Sequence, residues 1–269
     1  MGARVWQSAE LPIVHIWIVP YDLLHVLAQI CAIGLGTYLN ARQGISVRTT
    51  VLTSLLCLPV GFWGARALDT LEYASSYASV GDALARKGSS IYGGLFASFL
   101  VVWLVMRMQR IPFLKFLDGA APALAASEAI TRIGCFCAGC CYGVPWNGPW
   151  AVVFPKGSVA VSDMQAQGLL DAMAIASPPL HPVQLYSTAI MLVVTAYLLW
   201  RFPRRAFVGE LFYTFLVSYG VLRLAVAPFR AEALASMKLF SILFIVAGAT
   251  GLAMGRSSRV AVARAEAAS

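Results

Sequence analysis

Apolar residues along this chain come in long runs rather than at the spacing of one helix face or one strand face. Seven runs stand out: 18–39, 47–68, 91–108, 113–133, 182–200, 208–227 and 239–254. A helix of about 20 apolar residues crosses the hydrocarbon core of a bilayer, so each run predicts one span. The fourth is the weakest, being alanine-rich with Pro122 and Glu128 inside it. Small residues of that kind let helices approach closely in lipid. The longest break, 134–181, predicts a small head outside the membrane. The last residues, 255–269, predict a short disordered tail. The first run follows Arg4 and Glu10 and continues to Leu39. It is too long for a signal-peptide core, and no small-x-small cleavage site closes it, so it is expected to stay as the first span. The expected fold is therefore one all-α integral membrane domain over 1–269, with about seven transmembrane helices and a small periplasmic loop region. No sequence repeat of 20–50 residues is evident.

Composition sharpens this picture. The chain is 59% hydrophobic and 12% charged, about half the charged fraction usual for a soluble domain. Its net charge of +8 raises nucleic acid as a partner. The cations, however, sit in short clusters between apolar runs, with no basic stripe carrying interleaved aromatics, and a nucleic-acid function is set aside. One set of breaks holds Arg42, Arg48, Arg107, Arg110, Lys115, Arg201, Arg204, Arg205, Arg256, Arg259 and Arg264. The other holds Arg4, Arg86, Lys87, Lys156, Arg230 and Lys238. By the positive-inside rule the richer set faces the cytoplasm, placing the N-terminus and the 134–181 loop outside and the C-terminus inside. Trp146, Trp150 and Phe154 in that loop read as interfacial anchors or as a small loop core.

Arg66, Arg132 and Arg223 fall within or at the edge of apolar runs, where an arginine costs about 2.5–3.5 kcal/mol on insertion scales. Arg66 has Asp69 and Glu72 close by, which makes a structural ion pair an equal reading. Arg132 has only Glu128 one turn away, and Arg223 has no acid within a turn. For these two an anionic ligand is the better reading, because a guanidinium grips a phosphate through two parallel hydrogen bonds. Gly93 and Gly94 near the start of the third run suit either backbone contact with an anion or simple close packing. His181 and Gln184 open the fifth run as caps or substrate contacts. Four cysteines cluster as Cys135-Phe136-Cys137-Ala138-Gly139-Cys140-Cys141. Thiolates at this spacing can bind zinc, but no second pair follows. Packing among helices or a disulfide is the first reading, with a catalytic thiol or a metal behind it. Cys31 and Cys57 read as packing residues. No cofactor, nucleotide motif or properly spaced metal motif is expected.

Several segments together resemble the prolipoprotein diacylglyceryl transferase family. They are Gly61-Phe62-Trp63-Gly64-Ala65-Arg66, Ser90-Ile91-Tyr92-Gly93-Gly94-Leu95, Asp118 through Pro122, Arg132-Ile133-Gly134-Cys135-Phe136 with Gly139 and Gly143, His181-Pro182-Val183-Gln184-Leu185-Tyr186, and Tyr219-Gly220-Val221-Leu222-Arg223 followed by Arg230. Each is modest alone; their order and spacing over nearly the whole chain are specific.

The resemblance implies a seven-span transferase of the bacterial cytoplasmic (inner) membrane, acting in lipoprotein biosynthesis. Such an enzyme moves the diacylglyceryl group of phosphatidylglycerol to the lipobox cysteine of a preprolipoprotein, forming a thioether and releasing glycerol phosphate. It implies catalytic or charge-stabilising roles for Arg132, Arg223, Tyr92 and His181. Substrate contacts would come from Arg132, Arg223, Arg230, Gly93, Gly94, Gln184, Tyr186 and Arg66. The sequence departs from the family pattern at four polar positions. Tyr92 stands where a histidine precedes the glycine pair, Cys135 for an asparagine, Cys140 for a glutamate, and Ala227 for an acid between the last two arginines. Cys135, Cys140 and Glu128 are therefore site residues of unassigned role, and the group that takes the thiol proton is open. The departures also allow a paralogue with another lipid or acceptor, and the cysteines a non-enzymatic lipid-binding or thiol-redox protein.

Overall fold

The computed structural model describes residues 9–10, 17–18, 20–72, 91–231 and 235–268, with side chains over 21–71, 93–231 and 237–259. Two strands of two residues each, β1 (Ala9–Glu10) and β2 (Trp17–Ile18), pair antiparallel. The rest is helical: α1 (Pro20–Arg42), α2 (Val47–Glu72), α3 (Ile91–Met108), α4 (Phe113–Ala138), a short α5 (Val159–Ala166), α6 (Val183–Arg201), α7 (Glu210–Val226) and α8 (Ala235–Ala268). A helix thus occupies each of the seven predicted runs. The loop bases Arg4, Arg86 and Lys87 lie outside the described residues.

Five of these helices (α1, α2, α6, α7 and α8) are long and apolar enough to cross a membrane, and no more than 33% of any of their apolar windows is buried in the protein. Phe96, Val193, Trp63 and Ile30 expose 60–73% of their surface. Lipid, not water, is the solvent that tolerates such surfaces. Seven spans are more than these lengths and compositions establish. α3 is 18 residues long, and its described side chains, 93–108, are apolar but make a shorter stretch than the other five. α4 has the length but carries Lys115, Asp118, Glu128 and Arg132. Its buried residues include Ala121, Ala123, Ala125, Ala129 and Arg132, so what it lacks in hydropathy it uses inside the protein. The tail differs from expectation too: α8 continues through Ala268, because its closing Ala-Val-Ala-Arg-Ala-Glu-Ala-Ala consists mostly of strong helix formers.

The chain divides into two compact units, 37–119 and 1–36 with 120–269. In the first, α2 lies against α3 through small residues. A Cβ on Gly64 would sit 2.4 Å from the Ala97 Cβ, and one on Gly93 would sit 2.3 Å from the Gly64 carbonyl oxygen. Gly61 and Gly94 face each other in the same way. The Cys57 thiol meets the Ser98 carbonyl at 3.7 Å, the packing role expected of it.

In the second unit α4 is held by α1 and α6. Gly134 packs on Tyr21 and Leu24 of α1, and the Thr188 hydroxyl of α6 donates to the Ala129 carbonyl at 3.4 Å. Gly220 and Gly248 bring α7 and α8 to backbone contact. Between α4 and α6 the loop builds its own core from Tyr142, Val152, Phe154, Ala160, Met164 and Leu180. Phe154 is fully buried there and is a core residue rather than an interfacial anchor.

Candidate functional site

The site grows from the C-terminal end of α4. Glu128, Arg132 and Cys135 recur every three to four residues and so share one face of that helix. Arg132 is only 9% exposed and its guanidinium holds the Glu128 carboxylate at 2.7 Å. Burial of a cation without such a partner would be prohibitive, which explains why the one acid within reach on α4 is committed to it.

α4 then stops in a specific way. Gly139 adopts the left-handed conformation, φ +72°. Its N–H bonds the Phe136 carbonyl at 3.2 Å, and the Cys140 N–H reaches the Cys135 carbonyl at 3.1 Å. This is the Schellman stop, which sets the second residue after the helix against its last turn. Glycine is required twice over at 139, since a Cβ would also meet Ser158 and Phe154 at 3.0 and 3.1 Å. The consequence is chemical: Cys140 folds back onto Cys135. Cys141, itself left-handed at φ +55°, joins them. The three sulfurs all lie within 4.8 Å of one another. Cys137 is not part of the group, and all six cysteines are free thiols, so the disulfide reading does not hold in this structure. Hydrogen bonds from Cys135 and Cys140, with the Arg132 and Arg230 charges, pull the Cys141 thiol well below the usual cysteine range. Hydrogen bonding to Cys135 and Cys141, with burial, pushes Cys140 up.

The next residues tie the other motifs to this end. Val144 donates its N–H to the Phe229 carbonyl at 2.9 Å and accepts from the His181 N–H at 3.1 Å; Ala231 donates to the Tyr142 carbonyl at 3.2 Å. Gly143 lies so close to His181 and Phe229 that a Cβ would come within 2.5 and 2.8 Å of their carbonyl oxygens. Three distant stretches are thereby laced at one place. Gln184, 1% exposed, donates to the Cys140 carbonyl at 2.8 Å, while its side-chain oxygen is buried without a partner. His181 stacks on Trp146 at 4.4 Å, and its Nδ1 lies 3.1 Å from the Tyr186 hydroxyl, which also accepts from Trp150 Nε1 at 2.8 Å. Trp146 and Trp150 are thus part of the His181 surround.

Arg223, in α7, lies over the Tyr219 ring and contacts the Met237 sulfur. Arg230 carries a buried Nε with no hydrogen-bond partner. The charges of Arg132 and Arg230 both reach the Arg223 guanidinium. Among the described residues, Arg223 and Arg230 make no ion pair, so these two cations are available to an anion. Arg230 also lines a cavity of about 260 Å³ with Cys140, Cys141, Tyr142, Val159, Asp163 and Ala231.

Of the sequence-predicted site residues, Arg132, Arg223, Arg230, His181, Gln184, Tyr186, Glu128, Cys135 and Cys140 belong to this one unit. Arg66, Gly93 and Gly94 belong to the other, where the glycine pair has a visible packing role. Tyr92 lies in the first turn of α3, and its side chain falls outside the described residues. Sequence reading set Cys141 no apart from its neighbours and did not see Asp163. The Cys-x-x-x-Gly-Cys string was the available signal for the thiol cluster, since a helix-stopping glycine four residues after one cysteine folds the next cysteine back onto it.

Apolar helices that suit a bilayer, with several arginines gathered at one helix end, define a membrane protein equipped to hold an anionic group. Residues 10–254 match the prolipoprotein diacylglyceryl transferase family, and the chain belongs to that family. It is 28% identical over 237 residues to a phosphatidylglycerol–prolipoprotein diacylglyceryl transferase of Finegoldia magna, covering 85% of this chain and 87% of the relative. The Geobacter sulfurreducens protein of that name is 29% identical over 217 residues, 78% and 76% of the two chains. The Clostridium tetani one is 30% identical over 154 residues, and there the match spans 57% of this chain and 56% of the relative.

Proposed function

We propose that this chain is a phosphatidylglycerol–prolipoprotein diacylglyceryl transferase of a bacterial cytoplasmic membrane, with seven spans, its N-terminus outside and its C-terminus inside. Its substrates are phosphatidylglycerol and the lipobox segment of a preprolipoprotein. The observation that carries the reading is that the charges of Arg132 and Arg230 both act on Arg223, that Arg230 lines a cavity, and that Arg223 and Arg230 make no ion pair among the described residues.

The chemistry asks for this arrangement. Sulfur attacks the glyceryl carbon, the carbon–oxygen bond breaks, and the departing glycerol phosphate gains a second negative charge. Fixed cations aimed at that charge stabilise the transition state more than the ground state. Arg223 and Arg230 serve the leaving phosphate. Arg132, neutralised by Glu128, fixes the end of α4 and supplies donors to the same group. Gln184 and Arg230 offer buried polar atoms without partners, which suit the hydroxyls and phosphate of a glycerol head group. Arg66, Gly93, Gly94 and Tyr92 are proposed as lipid-contact residues of the unit of 37–119.

The experiment is transfer of a labelled diacylglyceryl group from phosphatidylglycerol to a lipobox peptide by the purified protein. A thioether product with wild type is expected. A folded, lipid-binding protein that forms none overturns the reading.

A further inference from the structure

The thiol group is the feature that anion binding leaves unused, and the nucleophile is the other half of the reaction. A thiol attacks as thiolate, so something must remove its proton. Glu128 is held by Arg132 at 2.7 Å, so its carboxylate is already engaged by a cation. His181 shares its Nδ1 with Tyr186. When Tyr186 donates there, the imidazole carries its own proton on Nε2 and presents a donor.

Cys135, Cys140 and Cys141 offer a different means. Their sulfurs lie within 4.8 Å of one another. Around a tetrahedral zinc, with sulfur ligands at about 2.3 Å, the sulfurs stand roughly 3.8 Å apart, so a small contraction closes the set. Cys135 and Cys140 are already fixed against each other by the stop of α4, which limits the ordering that a metal must impose. Thiolates select zinc over hard cations such as magnesium or calcium. The number of ligands matters as much as their kind. Structural zinc sites are closed by four protein ligands, whereas catalytic ones have three and an open position. Cys137 is not in the group, and Asp163 lines the neighbouring cavity without joining it. The cavity is bounded by two of the three thiols and by Arg230, with a volume of about 260 Å³, room for a cysteine side chain. Charge balances as well. Three thiolates and a divalent ion sum to one negative charge, and the charges of Arg132 and Arg230 both act on Cys141.

We propose that Cys135, Cys140 and Cys141 form a trithiolate zinc site whose open position binds the acceptor cysteine as thiolate. This rests on the transferase reading. The acceptor S–H loses its proton to water as the sulfur binds the metal, since a coordinating thiol is deprotonated outright. That sulfur then forms the carbon–sulfur bond while the carbon–oxygen bond to phosphate breaks. The electron pair leaves on glycerol phosphate, held by Arg223 and Arg230. The neutral thioether is a weak ligand and departs. No oxidant or reductant is needed.

The test uses the full chain in lipid nanodiscs. Metal analysis is expected to find one zinc per protein, lost in Cys135→Ser, Cys140→Ser and Cys141→Ser and kept in Cys137→Ser and Cys57→Ser. Cobalt in place of zinc is expected to show thiolate-to-cobalt charge transfer that grows when a lipobox peptide is added, through a fourth sulfur. Stripping zinc is expected to cut transfer by about 100-fold or more, the upper end of what even outer partners of a metal contribute, and zinc restores it. Full-rate transfer by metal-free protein, or a reduced wild type that takes up no zinc or cobalt, overturns the proposal and leaves the transferase reading intact. A cobalt spectrum indifferent to the peptide overturns the activation role. Zinc bound with no transfer under any condition sinks the transferase reading and with it the activation role, while the metal site stands.

Discussion

The two units use small residues and charges to different ends. In the unit of 37–119, glycine brings α2 and α3 together: Gly61, Gly64, Gly93 and Gly94 each sit where a Cβ would run into the opposing helix. In the unit of 1–36 and 120–269, glycine does this for α7 and α8, but at 139 and 143 it folds and laces loops. Those loops carry the thiols, His181 and Arg230 to the end of α4. The resembling motifs are spread over both units, yet the described groups able to hold charge and sulfur chemistry together concentrate in one. A glycine in a family motif therefore has no single meaning. The contact its missing Cβ would make distinguishes packing from loop closure.

The sharpest way to break that comparison is to remove the charge at the centre of the second unit. Arg132→Ala should cut transfer by about 100- to 1,000-fold, the loss typical when a fixed charge-stabilising donor is removed. It should also destabilise the fold, by less than the ~3–5 kcal/mol of a fully buried pair, because Glu128, 21% exposed at its side chain, loses its partner. The double variant Glu128→Ala with Arg132→Ala separates the two effects. Thermal stability in detergent should largely recover, while transfer stays low. If transfer recovers together with stability, Arg132 is structural and the charge argument fails.

The matching change in the first unit is Gly64→Ala. A Cβ there meets the Ala97 Cβ at 2.4 Å and the Gly93 carbonyl oxygen at 2.7 Å; backbone cannot yield as a side-chain tip can. Overpacking should cost about 1–3 kcal/mol, read as a lower unfolding temperature, with transfer per folded molecule unchanged. Gly34→Ala is the control. Nothing lies within 4 Å of its added methyl, so helix propensity alone should stabilise by about 1 kcal/mol. A Gly64 variant as stable as wild type would contradict the close packing of α2 on α3.

How far the sequence foretold each unit follows from the same distinction. The apolar runs announced every long helix, because membrane helices declare themselves by hydropathy, but not the short α5, which lies in the 134–181 loop. α4 was legible only in part. Its alanines, Glu128 and Arg132 are turned to the protein, and an inward-facing helix need not read as apolar. The α8 tail read as disordered because chain ends usually fray, whereas alanine and arginine continue a helix that is already nucleated. The buried arginines were legible because charge inside an apolar run is costly. The thiol cluster was not. Metal-motif spacing counts residues along a strand or helix, and here a left-handed glycine reverses the chain between two ligands. Two of the positions where the chain departs from the family pattern, Cys135 and Cys140, are thus members of one cluster rather than separate losses.

A smaller effect is expected from Tyr186→Phe. The hydroxyl accepts from Trp150 and meets His181 Nδ1. Losing it should cost about 1 kcal/mol, near 5-fold if the effect falls on catalysis. A change in kcat with KM unmoved would place His181 at the reacting atoms. A change in stability alone would make the ring cluster a support for the loop.

The smallest expected effect on stability comes from two residues under the same backbone strain. Arg110 and Cys141 are the non-glycine residues at positive φ among those described, +56° and +55°. Arg110 ends α3 as Gly139 ends α4: its N–H bonds the Arg107 carbonyl at 3.3 Å, and the Ile111 N–H bonds Met106 at 2.9 Å. A left-handed conformation costs an L-residue about 1–2 kcal/mol. Glycine relieves that and loses part of the gain to its greater freedom when unfolded. Arg110→Gly should therefore stabilise by about 0.5–1 kcal/mol with transfer unchanged. Cys141→Gly relieves the same strain, so its stability should hold or rise while transfer collapses. Strain that can be removed without loss belongs to a turn; strain that cannot is kept for the group it positions. Equal tolerance of glycine at both positions would mean that the Cys141 sulfur has no part in the reaction.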